Sequence, residues 1–190
     1  MTFSYRLTAA LAAGLLALPA LAQQVKLATS QGDIVLQLNA QKAPATVANF
    51  VQYVKAGHYD GVVFHRVIDG FMIQTGGYTE GLKEKPTGKP IKLEASNGLL
   101  NTRGSVAMAR TPDPDSARAQ FFINVADNAF LDAANARDGN GYAVFGQVVQ
   151  GMDVVDRIKV VPTTARGAAF ANLPADPIVI RKATLIEDKK

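Results

Sequence analysis

Few side chains in this sequence are equipped for covalent or metal chemistry, and none of them is spaced for it. Cysteine is absent, which removes thiol nucleophiles and thiolate ligands. The two histidines, His58 and His65, have no carboxylates near them at metal-ligand spacing, so each reads as a structural residue. Ser105 and Ser116 stand outside any G-x-S-x-G elbow and have no base arranged beside them. Gly76-Gly77 lacks the flanking pattern of a phosphate-binding loop. Asp113 and Asp115, in Thr111-Pro112-Asp113-Pro114-Asp115, read as turn residues. What remains is a non-covalent chemistry that needs neither metal nor cofactor.

The elements that must position such a site begin after a leader. Arg6 is followed by an apolar stretch from Leu7 to Leu18, and then by Ala20-Leu21-Ala22, with small residues where a signal peptidase reads. The stretch is too short to span a bilayer, which takes about 20 residues. Residues 1–22 therefore read as a secretory signal peptide, and Gln23 as the first residue of the exported chain. Residues 23–190 suffice for one domain with one core. Without cysteine, that core must be held by packing alone. The formal net charge of +4 does not mark a nucleic-acid site. Its dense basic stretch, Lys83, Lys85, Lys89 and Lys92, is interleaved with Glu80, Glu84 and Glu94, as on a solvated loop.

Val25 to Thr29 and Ile34 to Leu38 flank Ser30-Gln31-Gly32-Asp33 and predict a hairpin. Pro44 opens a helix whose Val47, Phe50, Val51 and Val54 share one face, and Gly57 ends it. A second helix is predicted over Met152 to Lys159. Strands are predicted over Val62 to Ile68, Phe71 to Thr75, Gly104 to Ala109, Gln120 to Val125, Ala143 to Val149 and Ile178 to Ile186. Many short strands with two helices suit a barrel or sandwich better than a βαβ sheet. Three long connections, Thr79 to Arg103, Arg110 to Ala119 and Asp132 to Tyr142, are of the kind that carry function.

Five segments carry a family resemblance, in the same order as the family's own blocks. Phe64-His65-Arg66-Val67-Ile68-Asp69-Gly70-Phe71-Met72-Ile73-Gln74 resembles the signature of the cyclophilins, the peptidyl-prolyl cis/trans isomerases. Gly104 to Arg110, Gln120-Phe121-Phe122-Ile123-Asn124, Ala143 to Val148 and Gly151 to Val155 resemble later blocks. The resemblance implies a mainly β fold: a closed eight-stranded antiparallel β-barrel capped by two α-helices, packed solid inside, with substrate in a groove on its outer face. It implies Arg66 as the catalytic residue and a proline pocket of Phe71, Met72, Phe122 and Leu131. Gln74, Ala109, Arg110 and Gln120 would line the peptide groove, with Phe130 and Tyr142 as aromatic walls. It implies no cofactor or metal, and a monomer acting on flexible proline-containing polypeptides.

The reaction explains why such residues suit it. An X-Pro bond resists twisting with a barrier of about 20 kcal/mol. That corresponds to roughly 0.01 turns per second. In the twisted state the proline nitrogen regains its lone pair and accepts a hydrogen bond. A fixed guanidinium aimed there favours the twisted form over either planar isomer. Strand alternation places Phe64, Arg66 and Ile68 on the groove face, and His65 and Val67 inside.

Three departures from commoner family members stand out. Phe130 replaces a tryptophan, Tyr142 a histidine, and Arg110 an asparagine whose family contacts run largely through the backbone. The pattern resembles the bacterial periplasmic subgroup, in accord with the leader. Losing the indole N–H predicts weak binding of cyclosporin. Two rival readings are a catalytically silent peptide-binding module on the same fold and a carrier with cargo inside a hollow barrel.

Overall fold

The computed structural model describes residues 23–186, so the expected leader over residues 1–22 lies outside the described residues. The chain begins with the expected hairpin, β1 (Gln24–Thr29) and β2 (Gly32–Leu38). Thr29 closes its turn, the hydroxyl donating to the Gly32 carbonyl at 2.6 Å and accepting from the Gln31 amide at 3.0 Å. Helix α1 (Pro44–Lys55) buries Val47, Phe50, Val51 and Val54, the face that the sequence spacing singles out. Its free N-terminal amides are satisfied from a distance. Glu94 accepts from the amides of Ala45 and Thr46 at 3.1 and 2.8 Å, and from the Thr46 hydroxyl at 2.6 Å.

The remaining strands are β3 (Val62–Val63), β4 (Arg66–Ile68), β5 (Met72–Thr75), β6 (Ser105–Met108), β7 (Phe121–Asn124), β8 (Val144–Gln150), β9 (Thr163–Thr164), β10 (Leu173–Pro174) and β11 (Val179–Ile186). Helix α2 (Met152–Lys159) follows β8 and buries Val154, Val155 and Ile158. Nine strands form one antiparallel sheet in the order β3-β11-β1-β2-β8-β6-β7-β5-β4, while β9 and β10 make a separate ribbon.

This order corrects the expected closed eight-stranded barrel. The sheet is an open, strongly curled half-barrel whose two edges, β3 and β4, come from one chain segment. The sequence reads Val62 to Ile68 as a single strand, but Phe64 and Val67 both enter the main core. Side chains three residues apart cannot share a face of a regular strand, so the segment kinks at Phe64-His65. β3 then pairs with β11 and β4 with β5, with no ladder joining β3 to β4. Phe64 is thus an interior residue, not a groove residue.

The core inside the curl is built on Phe50, whose ring lies 5.1 to 5.2 Å from those of Tyr59, Phe121 and Phe145. A second apolar cluster, Met72, Ala107, Phe122, Leu131 and Val144, lies apart from it. Strand alternation separates the two. Along β7, Phe121 and Ile123 belong to the interior and Phe122 to the second cluster; along β6, Val106 and Met108 point in and Ala107 out.

Candidate active site

The register of four strands sets the site. Arg66 of β4 pairs with Gln74 of β5, Gln74 with Phe122 of β7, and Phe122 with Ala107 of β6. These residues form one row across the outer face of the sheet. A parallel row runs from Ile68 through Met72 to Asn124. Cross-strand neighbours on one face lie about 5 Å apart, so the rows bring a cation, an amide and an apolar floor together.

A cavity of about 100 Å³ opens at these rows, lined by Arg66, Phe71, Met72, Gln74, Ala109, Arg110, Phe122, Leu131 and Tyr142. All the expected site residues surround it except Gln120 and Phe130. Gln120 stands behind, accepting at Oε1 from the Gln74 amide at 2.9 Å, and lines a contiguous hollow of about 370 Å³. Phe130 is 58% exposed and leans on Phe71 with ring centroids 5.6 Å apart, outside the pocket. The floor is dry: Met72, Phe122 and Leu131 are buried. Tyr142 walls one side, its ring edge-on to Phe122 at 5.7 Å.

Arg66 stands at the rim, half-exposed, with its Cζ 5.8 Å from the Phe71 ring centroid. Its Nη1 donates to Gln74 Oε1 at 3.5 Å. Among the described residues it has no carboxylate partner within ion-pair distance. Its donors are therefore largely free to reach a group in the pocket, beside apolar walls that strengthen any such contact.

The histidines lie away from this opening. His58 is buried, with Nε2 3.0 Å from the Gly76 carbonyl oxygen. His65 is buried against Tyr78, whose ring is 4.8 Å away, and Phe170. Burial, aided by the nearby Arg66 charge, pushes its pKa down to about 4, so its ring is neutral beside the guanidinium at neutral pH.

Several supporting residues escape sequence reasoning. Asn128 Nδ2 donates to the Phe71 carbonyl at 2.8 Å and to Asn124 Oδ1 at 2.7 Å. Asn124 in turn donates to Ser105 Oγ at 2.8 Å, and Asp132 accepts from Asn101 at the backbone and side chain. This buried network underlies the pocket edge. The clue in the sequence is polarity, with Asn124 ending an apolar strand and Asn128 following it. Gly76-Gly77 also has a role. A Cβ at Gly76 would meet the Ala119 carbonyl oxygen at 2.6 Å, and one at Gly77 the Gln120 side chain at 2.6 Å, so glycines let β5 approach the segment bearing Gln120.

A larger cavity, about 650 Å³, is lined by uncharged residues such as Gln37, Asn39, Leu100 and Gln147, and does not include Arg66. The smaller pocket sets Arg66, which has no described carboxylate partner, beside the apolar floor of Met72, Phe122 and Leu131. It can seat a small apolar ring and stabilise a lone pair beside it; no proton-transfer pair faces it.

Comparison with known proteins points the same way. A family model described as cyclophilin type peptidyl-prolyl cis-trans isomerase matches residues 24–185. The chain is 55% identical to peptidyl-prolyl cis-trans isomerase A of Dickeya dadantii over 163 residues, covering 86% of this chain and 84% of the relative. It is 52% identical to isomerase B of Escherichia coli, covering 84% and 97% of the two chains. A solved structure from Cryptosporidium parvum, a cyclophilin type peptidyl-prolyl cis-trans isomerase, superposes with a TM-score of 0.73 at 23% identity, over 88% of this chain and 99% of that one.

Proposed function

The chain belongs to the cyclophilin-type peptidyl-prolyl cis-trans isomerases and has their activity, and from that premise we propose that it turns X-Pro bonds in exported polypeptides, with Arg66 stabilising the twisted amide. The observation that carries this reading is the Arg66 guanidinium, unpaired with any described carboxylate, at the rim of an apolar pocket on the outer face of the sheet. The proline ring enters between Phe71, Met72, Phe122 and Leu131, which exclude water from the bond being twisted. As the peptide C–N bond turns, the nitrogen becomes pyramidal and its lone pair accepts from Arg66. Neither planar isomer offers that acceptor, so the contact lowers the barrier without deepening ground-state binding. No covalent bond forms and no proton is transferred.

The leader pattern of residues 1–22 supports cleavage before Gln23 and release into a periplasm, where the enzyme assists folding as a monomer. Prolyl isomerisation of a short X-Pro peptide by residues 23–190 tests the activity, and binding without turnover would favour a silent peptide-binding module. Intact-mass measurement of the exported form tests the leader, and a chain retaining Leu7 to Leu18 would remove both the cleavage and the location. Light scattering tests the monomer.

A further inference from the structure

Arg110 leaves the end of β6 at the seam between the two contiguous hollows and lines both. Its side chain is 2% exposed, unusual burial for a guanidinium. Each of its three nitrogens is engaged by protein. Nε donates to the Gly141 carbonyl at 2.9 Å, Nη1 to the Thr111 carbonyl at 3.0 Å, and Nη2 to Asp138 Oδ2. The flat of the group lies 4.6 Å from the centre of the Tyr142 ring. With three of its five N–H donors taken and the side chain buried, the group has little access to a peptide.

Apart from the adjoining Thr111, its partners lie on the connection from Asp132 to Tyr142. Asp138 Oδ1 accepts from the amides of Asn140 and Gly141 at 3.0 and 3.2 Å, which makes a tight turn just before Tyr142. Gly141 has φ +68°, and a Cβ there would meet the Ala133 nitrogen at 2.6 Å. The Tyr142 amide then donates to the Leu131 carbonyl at 2.9 Å, which joins this wall to the pocket floor. Arg110 is thus the side chain that ties the turn, and the aromatic ring after it, to the sheet.

We infer that Arg110 is a positioning residue: a latch that holds the turn at Asp138–Gly141 and stacks Tyr142 in place as a wall of the proline pocket, without itself touching substrate. This rests on reading that pocket as the proline site. A loosened wall weakens binding of planar and twisted forms alike, because Arg66 is held separately by Gln74. The signature is therefore a rise in KM with kcat nearly preserved. The strong Arg110 pairing draws the Asp138 carboxyl down to about 2, so the latch stays charged across the working pH range.

The test measures affinity for one X-Pro peptide, turnover, and amide hydrogen exchange over residues 139–142, in the full exported chain. Arg110→Ala should raise KM about tenfold, the size expected when a packed cation and its coupled partners are lost. Its kcat should change less than about threefold, and exchange at Gly141 and Tyr142 should rise. Arg110→Lys keeps the charge but cannot both fork and stack, so most of the defect should persist. In a Tyr142→Ala background, Arg110→Ala should cost little more, since the wall it holds is gone. Unchanged affinity and exchange in Arg110→Ala would overturn the latch. Full additivity with Tyr142→Ala would overturn it too, by showing that Arg110 contacts the peptide directly. Should Arg110→Ala fold poorly, Asp138→Asn carries the same expectation in smaller measure, and unaltered exchange and KM there count against the latch. Failure of the pocket reading looks different: Tyr142→Ala itself would leave peptide affinity unaltered, while exchange at Gly141 would still respond to Arg110→Ala.

Discussion

Arg66 and Gln74 face each other directly across β4 and β5, and the Gln74 carbonyl oxygen accepts from the Arg66 guanidinium at 3.5 Å while its amide is fixed by Gln120. The contact is long and its acceptor is neutral, so it orients the cation while leaving most of its donors free. Gln74→Ala should therefore lower kcat by roughly tenfold through lost orientation, with peptide affinity little changed. Exchange NMR on one X-Pro peptide reads both quantities. A loss confined to affinity would make Gln74 a peptide ligand instead.

Arg66→Ala should cost on the order of 10²–10³ in turnover, the usual loss for one preorganised donor. Arg66 is half-exposed and has no described carboxylate partner, so its removal should leave the melting temperature nearly unaltered. Arg66→Lys should keep much of the defect, since an ammonium lacks the planar fork. Near-normal turnover in folded Arg66→Ala would take Arg66 out of the catalytic role.

Phe130 lies on the rim, so its replacement should change drug binding more than catalysis. Phe130→Trp restores an indole N–H and should tighten cyclosporin binding by about tenfold, the worth of satisfying one buried acceptor. Turnover should hardly move, because Phe130 does not line the pocket. Equal affinity of the two proteins for the drug would refute the role assigned to the missing donor.

Asn128→Ala should destabilise the fold by about 1–3 kcal/mol, because the Phe71 carbonyl and Asn124 Oδ1 both lose a donor. The pocket edge borne by Phe71 should loosen with it. Urea unfolding beside peptide titration measures both, and an unchanged midpoint would mean that water replaces the amide fully.

How far the sequence foretold this arrangement depends on the range of each contact. The hairpin, both helices and the buried face of α1 follow from local periodicity. Phe121-Phe122-Ile123 is apolar throughout, so alternation alone could not tell the pocket-facing Phe122 from its interior neighbours; family resemblance supplied that. The kink at Phe64-His65 was hidden because Phe64, His65 and Val67 are all buried, which makes the run look like one strand. The ribbon of β9 and β10 has strands too short for any period. Arg110 meets Asp138 and Gly141 across 28 and 31 residues, and Glu94 caps α1 across 48 and 49. Pairings of that span leave no pattern in a single sequence.

His65 provides a test through pH. Its ring is buried, and among the described residues its Nδ1 has no hydrogen-bond partner; desolvation chiefly, with the nearby Arg66 charge, holds the pKa at about 4 against 6.5 when exposed. The unfolded chain then binds more protons than the folded one between those values. Stability from a neutral His65 is accordingly present in full above about pH 6.5, falls as the pH drops towards 4, and levels off below. The whole effect is of order 3 kcal/mol. His65→Phe keeps a ring against Tyr78 and Phe170 but removes the titration. His58 and the carboxylates are common to both proteins, so the difference between their urea-unfolding free energies isolates His65. That difference should shift against the unaltered protein between pH 7 and pH 4. Parallel stability profiles over this range would show that His65 does not carry a depressed pKa, and that it could become charged beside Arg66.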